Sequence, residues 1–222
     1  EYKDSIVVID CGFQFSESTT PGIECILPNT RYLEENKHKI KGMLITHGHL
    51  DHIGAIPYIL PRIGNPEIYC RNFTSLMIKK RHEEFPHLDP LNIKLVETNS
   101  ELELGDFKIK FFAVSHAIPD SMGLIIETPF GDIVHTGDLR LDHDNGIPTE
   151  GEINNYKTFE NRNILCLLTD STNCENPGFS ISDRVVFENI NKIIKDTPGR
   201  LFIATFSTQV ERMMAIIKMI EN

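Results

Sequence analysis

The sequence has no tryptophan, no internal repeat and no low-complexity tract, and it carries only five cysteines. Those five, Cys11, Cys25, Cys70, Cys166 and Cys174, are odd in number and include no Cys-x-x-Cys pair. A zinc ribbon and a disulfide framework are therefore both disfavoured. Reduced cysteines in a cytoplasmic protein are the expectation, with Cys11, Cys70 and Cys166, in or beside apolar strands, acting as small hydrophobes. No apolar run approaches the roughly 20 residues that a membrane helix needs, and no basic-then-apolar leader opens the sequence. Positive charge is scarce: 22 Lys and Arg stand against 32 Asp and Glu, a net charge of −10. That balance disfavours non-specific nucleic-acid binding, which runs on Lys and Arg contacts to phosphate. It leaves room for a cleft whose sign is reversed by bound divalent cations. What remains is an ordinary globular composition, 40% hydrophobic over 222 residues, enough for one large domain or for one domain and part of another.

Short apolar runs organise the chain. Ser5–Ile9 and Gly42–Thr46 read as buried strands, and residues 53–63 as a buried helix complicated by Pro57 and Pro61. Residues 67–70 read as a short strand, and residues 74–85 as a helix carrying the basic run Lys79-Lys80-Arg81-His82, most simply its solvated face. Strands are expected over residues 107–114, 123–128 and 132–136, and a central one over residues 164–169. A polar stretch containing Pro177-Gly178 then breaks the composition. Beyond it come a helix over residues 183–195 with Asp183 as its N-cap, a strand Leu201–Phe206, and an amphipathic helix over residues 208–220. The division falls into residues 1–174 and the start of a second unit over residues 175–222.

The chemistry concentrates in His47-Gly48-His49-Leu50-Asp51-His52, directly after an apolar strand. Three histidines and an aspartate within six residues are poorly explained as a structural turn. Neutral imidazoles with a carboxylate suit a hydrolytic zinc site. In an extended segment residues two apart point the same way, so His47 and His49 can grip one ion. Asp51 and His52, where the chain turns into a helix, can face a second. His116 and Asp138 follow strands later in the chain, and a carboxylate at position 138 has two oxygens with which to bridge two ions.

His-x-His-x-Asp-His, a later His and a later Gly-Asp resemble the metallo-β-lactamase superfamily. Finer stretches resemble its ribonuclease J branch, in the β-CASP group: residues 10–15 (DCGFQF), 47–60 (HGHLDHIGAIPYIL), 115–121 (SHAIPDS), 135–140 (HTGDLR), 170–173 (DSTN) and 204–212 (ATFSTQVER). The resemblance implies an αββα metallo-β-lactamase sandwich over residues 1–174, then the start of a β-CASP α/β domain over residues 175–222. It implies two ions, Zn2+ with Mn2+ or Mg2+ as substitutes, held by His47, His49, Asp51, His52, His116 and Asp138. Asp10 would orient a ligand histidine from behind. Asp51, His52 and Asp138 would be the catalytic residues, with Asp51 or a water it holds supplying a proton to the leaving 3′-oxygen. Ser115, Asp120 and Ser121 are candidate substrate contacts. The implied activity is hydrolysis of RNA phosphodiesters, as a 5′-to-3′ exonuclease, an endonuclease or both, by a two-metal-activated hydroxide. The implied setting is the cytoplasm, with RNA as partner and a homo-oligomer in the full-length form.

The sequence departs from that pattern in two ways. The family's second ion takes a further histidine from beyond the β-CASP insertion, yet no histidine follows His143. The family's opening Gly-rich hairpin is also missing. The reading is therefore of a portion of a longer enzyme, whose first ion site can close while its second lacks a ligand. Two other functions compete: a hydrolase of a small thioester or lactone on the same fold, and a non-catalytic RNA-binding scaffold. The first has no need of the tail beyond residue 174; the second would have lost ligands, and all six are intact.

Overall fold

The structure, a computed structural model, describes residues 1–17 and 19–221. Its strands are β1 (Ile6–Ile9), β2 (Gln14–Phe15), β3 (Cys25–Ile26), β4 (Ile40–Leu44), β5 (Ile68–Cys70), β6 (Ile93–Leu95), β7 (Glu101–Leu104), β8 (Phe107–Ala113), β9 (Met122–Thr128), β10 (Gly131–His135), β11 (His143–Asp144), β12 (Ile147–Pro148) and β13 (Ile164–Leu168). Its α-helices are α1 (Arg31–Glu35), α2 (Leu50–Ile53), α3 (Ile56–Ile59), α4 (Asn72–His82), α5 (Glu150–Tyr156), α6 (Asp183–Asp196) and α7 (Val210–Glu221).

Two main sheets result. One is parallel, in the order β1-β4-β5-β6. The other has the order β13-β10-β9-β8-β7, antiparallel except where β13 joins β10 in parallel. Strand alternation distributes the apolar side chains over three cores. In β4, Met43 enters a core shared with Ile53, Ile56, Ile59 and Ile78 of the helices α2 to α4. Its neighbour Leu44 faces the opposite way, into a core filled from the second sheet by Phe107, Ile109, Phe111, Met122 and Leu124. Phe112 and Ile125, one residue out of phase, point to the outer face of that sheet and meet Val134, Tyr156 and Phe159. The layers therefore run helix, sheet, sheet, helix, as expected. Both faces of the parallel sheet are covered, which accounts for its nearly continuous apolar strands.

Several local expectations are corrected. Residues 53–63 do not form one helix. Cys11 N–H donates to the His52 carbonyl (2.7 Å) and Ala55 N–H to the Cys11 carbonyl (3.0 Å), so the loop after β1 takes backbone groups that a continuous helix would use. The chain instead makes α2 and α3, with Pro57 in the first turn of α3, where a missing N–H costs nothing. The N-cap of α6 is Ser182, not Asp183. β13, expected in the middle of a sheet, is an edge strand whose five residues are all exposed, Cys166 among them. Residues 201–206 are in no strand among those described. Phe202 and Phe206 are 89% and 78% exposed. An apolar β-pattern becomes a strand only where its backbone N–H and C=O groups find a ladder partner. All five cysteines are free, with Cys11 and Cys70 buried as expected. No described helix is long and apolar enough to cross a membrane.

Candidate metal centre

Every residue of the hexapeptide cluster sits where a strand ends. Asp10 follows β1, the segment Thr46–His52 follows β4, His116 follows β8, Asp138 follows β10, and Asp170 follows β13. The loop after β1 lies directly on the hexapeptide. A Cβ on Gly12 would stand 1.5 Å from the Asp51 carbonyl oxygen, so only glycine fits there.

The histidines crowd together. The His47 ring centroid is 4.8 Å from that of His49, 4.7 Å from that of His116 and 4.0 Å from that of His52. His49 Nδ1 and His116 Nε2 face each other at 3.1 Å. Ligand atoms of His47, His49 and His116 lie within 4.8 Å of one another, and so do those of His47, His52 and Asp138. Asp138 spans the two groups with different oxygens. Its Oδ2 is 3.8 Å from His47 Nε2 and 3.8 Å from His116 Nε2, while its Oδ1 is 3.2 Å from His52 Nε2. Asp51 stands at the rim, half exposed, with Oδ2 3.9 Å from His52 Nε2.

Behind the cluster, Asp10 sets the direction of two rings. One of its oxygens accepts the Thr46 N–H (2.8 Å). The other lies 2.8 Å from His52 Nδ1 and accepts the Thr46 hydroxyl (2.9 Å), whose oxygen lies 3.0 Å from His47 Nδ1. Protons on both Nδ1 atoms satisfy this chain and turn the two Nε2 atoms toward the centre. His47 Nε2 is buried and has no hydrogen-bond partner. A buried ring nitrogen left unpaired costs free energy unless something binds it. That orphan, three further imidazoles and a carboxylate form the donor set of a divalent-ion site, and the residues present fit one.

The charges follow. Burial first, and the neighbouring histidines second, hold His47 well below its ordinary pKa. Burial likewise lowers His49 and His116, so all three are neutral ligands near pH 7. Burial also works against a cationic His52, but the bonds to Asp10 and Asp138 outweigh it and push His52 up to about 10. The same contact from His52 holds Asp138 down at about 2, leaving it ionised.

The sequence-model description that matches residues 1–172 is the metallo-beta-lactamase superfamily. The chain belongs to this superfamily. Over its whole length it is similar to Ribonuclease J of Mycoplasma pneumoniae (38% identity, 100% of this chain and 39% of the relative) and of Mycoplasma genitalium (40% identity, 100% and 39%). Ribonuclease J of Synechocystis sp. is 36% identical, over 100% of this chain and 35% of the relative. The chain thus spans well under half the length of these curated relatives. A solved protein of unknown function from Enterococcus faecalis shares the fold, with a TM-score of 0.71 over 98% of this chain and 58% of that one at 17% identity. These matches agree with the metallo-β-lactamase fold that the motifs imply.

The candidate substrate residues are placed differently from one another. Asp120, at φ +62°, accepts the Phe73 N–H (2.8 Å) at the start of α4 and pairs with Arg71 (3.3 Å). Ser121 is buried and donates to the Ile118 carbonyl (3.0 Å). Ser115 accepts the Arg140 N–H through its carbonyl (2.8 Å), tying the His116 and Asp138 loops together. Within the basic run of α4, Lys80 pairs with Glu83 (2.8 Å), and Arg81 pairs with Glu84 and lies against the rings of Phe13, Tyr58 and Phe85.

Three contributors escaped the sequence reading. Thr46 relays Asp10 to His47, but a threonine at a strand end carries no signal of it. His135 accepts the Gly137 N–H at Nδ1 (3.0 Å), pinning the turn that carries Asp138. Asp170 accepts the N–H groups of Leu139 (3.3 Å) and Thr172 (2.7 Å), holding that loop from the far side. Both belonged to stretches quoted for the resemblance, without a role.

The Asp10 contact yields a direct expectation. Asp10→Ala leaves every ligand atom in place but frees the His52 and His47 rings. Metal affinity should fall by about 10- to 100-fold, the usual effect of losing such an outer partner. Calorimetric titration of metal-free protein checks it; unchanged affinity would show that packing alone orients the rings.

Proposed function

We propose that this chain is the metal-bearing part of a ribonuclease of the ribonuclease J type, hydrolysing RNA phosphodiesters at two zinc ions. The observation that carries the reading is Asp138, whose two oxygens separate toward His47 and His116 on one side and His52 on the other. In this reading His47, His49, His116 and Asp138 hold the first ion. Asp51, His52 and Asp138 hold the second, with manganese or magnesium as substitutes. When bound, the ions supply a water of lowered pKa and neutralise charge on the phosphate oxygens.

The chain's own groups do the rest. Asp10 and Thr46 fix the rings of His52 and His47, so the ligands need little reorganisation. Asp51, half exposed at the rim, would take up the proton that the attacking water loses and pass it to the leaving 3′-oxygen, directly or through a water it holds. Ser115, whose hydroxyl has no hydrogen-bond partner among the described residues, contacts the substrate; Asp120 and Ser121 do so through the loop they hold around Pro119. Similarity to Ribonuclease J over the whole chain supports RNA as substrate. The polar loop after Asn173 and the helices α6 and α7 support a second, β-CASP unit over residues 175–222. Five free cysteines support a cytoplasmic setting. A homo-oligomer in the full-length form completes the reading and is checked by light scattering.

The natural full-length protein, supplied with zinc or manganese, should shorten a 5′-monophosphorylated RNA and release products with 5′-phosphate ends. Chelation should abolish this. Inertness toward RNA together with hydrolysis of a thioester or lactone would transfer the site to small-molecule chemistry.

A further inference from the structure

A cleft of about 850 Å³ opens beside the metal centre and includes His116 and Asp138 in its wall. Most charges along it are already satisfied. Arg140 pairs with Asp183, and Asp170 is occupied by the backbone N–H groups of Leu139 and Thr172. Two features of the wall, Arg212 and Phe179, suit a nucleic-acid strand, and the carboxylate of Glu211 lies on the same wall. Arg212, half buried on α7, donates to Gln209 (2.9 Å), but no carboxylate pairs with it among the described residues. Phe179 is 75% exposed.

The Phe179 ring is nonetheless held from beneath. It lies on Gly146, where a Cβ would stand 2.7 Å from the ring, and its centroid is 5.3 Å from that of His143. His143 is itself fixed on both nitrogens. Its Nδ1 accepts the Gly146 N–H (3.1 Å), which places the proton on Nε2, and Nε2 donates to the Ser180 carbonyl (2.9 Å). An aromatic ring seated on one face and open on the other, in the same cleft as a cation that no described carboxylate pairs with, matches what single-stranded nucleic acid requires. Bases stack on such rings whatever their sequence, and phosphates take up the guanidinium.

We propose that Phe179, seated on His143 and Gly146, is a stacking platform for one nucleobase of single-stranded RNA, and that Arg212 anchors a phosphate of the same strand. The inference rests on the RNA reading above and deepens it: it names the groups that hold the strand beside the metal centre. Neither group touches the reacting phosphate; both position it. The platform reads no base edge, so the contact is indifferent to sequence.

The test measures binding of a short, fluorescently labelled single-stranded RNA by anisotropy, in chelator so that no cleavage occurs. Phe179→Ala should weaken binding by roughly 5- to 100-fold, the range that loss of one base–aromatic stack produces, and Phe179→Tyr should restore it. When an abasic nucleotide replaces the stacked base, the unaltered chain and Phe179→Ala should bind alike. Arg212→Gln should reduce the slope of log affinity against log salt by about 0.7, the contribution of one phosphate contact on a single strand, and Arg212→Lys should keep it. A general loss of structure would reproduce neither the tyrosine rescue nor the salt slope. If the unaltered chain binds RNA and both variants match it in affinity and slope, the platform is overturned while the RNA reading stands. If the unaltered protein binds no RNA even with its metal restored and a non-hydrolysable RNA supplied, both fall.

Discussion

Replacing Asp138 by alanine is expected to remove more metal from this protein than any other single substitution. His47 also belongs to both ligand groups, but through a single neutral ring nitrogen, whereas Asp138 faces His47 and His116 through one oxygen and His52 through the other. Loss of a partner merely behind a ligand costs about 10- to 100-fold in affinity. Loss of a ligand common to two ions should cost at least about 100-fold for each. The carboxylate is also the charge that offsets the cationic His52 and the bound ions, so the variant loses neutralisation as well as coordination. Elemental analysis after zinc loading and dialysis should show up to two ions in the unaltered protein and at most one, weakly held, in Asp138→Ala. Asp138→Asn separates the two contributions, since it keeps the shape and one acceptor oxygen but removes the charge. Asp51→Ala should affect only the second event. Full zinc occupancy in Asp138→Ala would mean that the histidines alone define the site.

Much of this centre could be read from the sequence because its chemistry is contiguous. Six residues after an apolar strand contain four metal-competent side chains, and the alternation that aims His47 and His49 together is a property of extended backbone. Asp10 is harder. Nothing local links it to His52, 42 positions away, and only a resemblance suggested the contact now seen at 2.8 Å. Thr46 could not be found at all, because a strand-end threonine looks the same whether or not its hydroxyl relays a hydrogen bond. The fold shows the same division. The phase of β8 and β9, with Phe111 inward and Phe112 outward, follows from a period of two and apolar surface to bury. The break between α2 and α3 does not follow from the segment itself, since it is the Cys11 backbone that bonds to His52 and Ala55. Residues 201–206 make the converse point: their pattern specifies a strand, and among the described residues no neighbouring strand pairs with it.

Metal affinity at the second group should rise steeply with pH. His52 is the one histidine of the cluster held cationic near neutrality, and its Nε2 is the atom that would ligate. Metal and proton therefore compete for it. Below its pKa of about 10, each unit of pH should raise affinity by up to tenfold and each binding event should release close to one proton. His47, His49 and His116 are lowered, hence already neutral, so the first ion should bind with little pH dependence down to about pH 6.5, their ordinary value. The same groups set the stability of the metal-free chain. His52 gains a proton on folding, so its contribution is complete below about 6.5 and is lost as pH rises through about 10. The three lowered histidines act oppositely: below about 6.5 the unfolded chain takes up protons that the folded chain refuses, and stability falls. The metal-free protein should thus be most stable near pH 6.5, and saturating zinc should move that optimum upward by at least about one unit, because the ions bind the deprotonated rings. Denaturant melts across pH 5–9 with and without zinc, together with calorimetry in buffers of different ionisation enthalpy, give both slopes. A second binding event that releases no proton would show that His52 does not ligate, and would leave that ion to Asp51, Asp138 and His47 among the described residues.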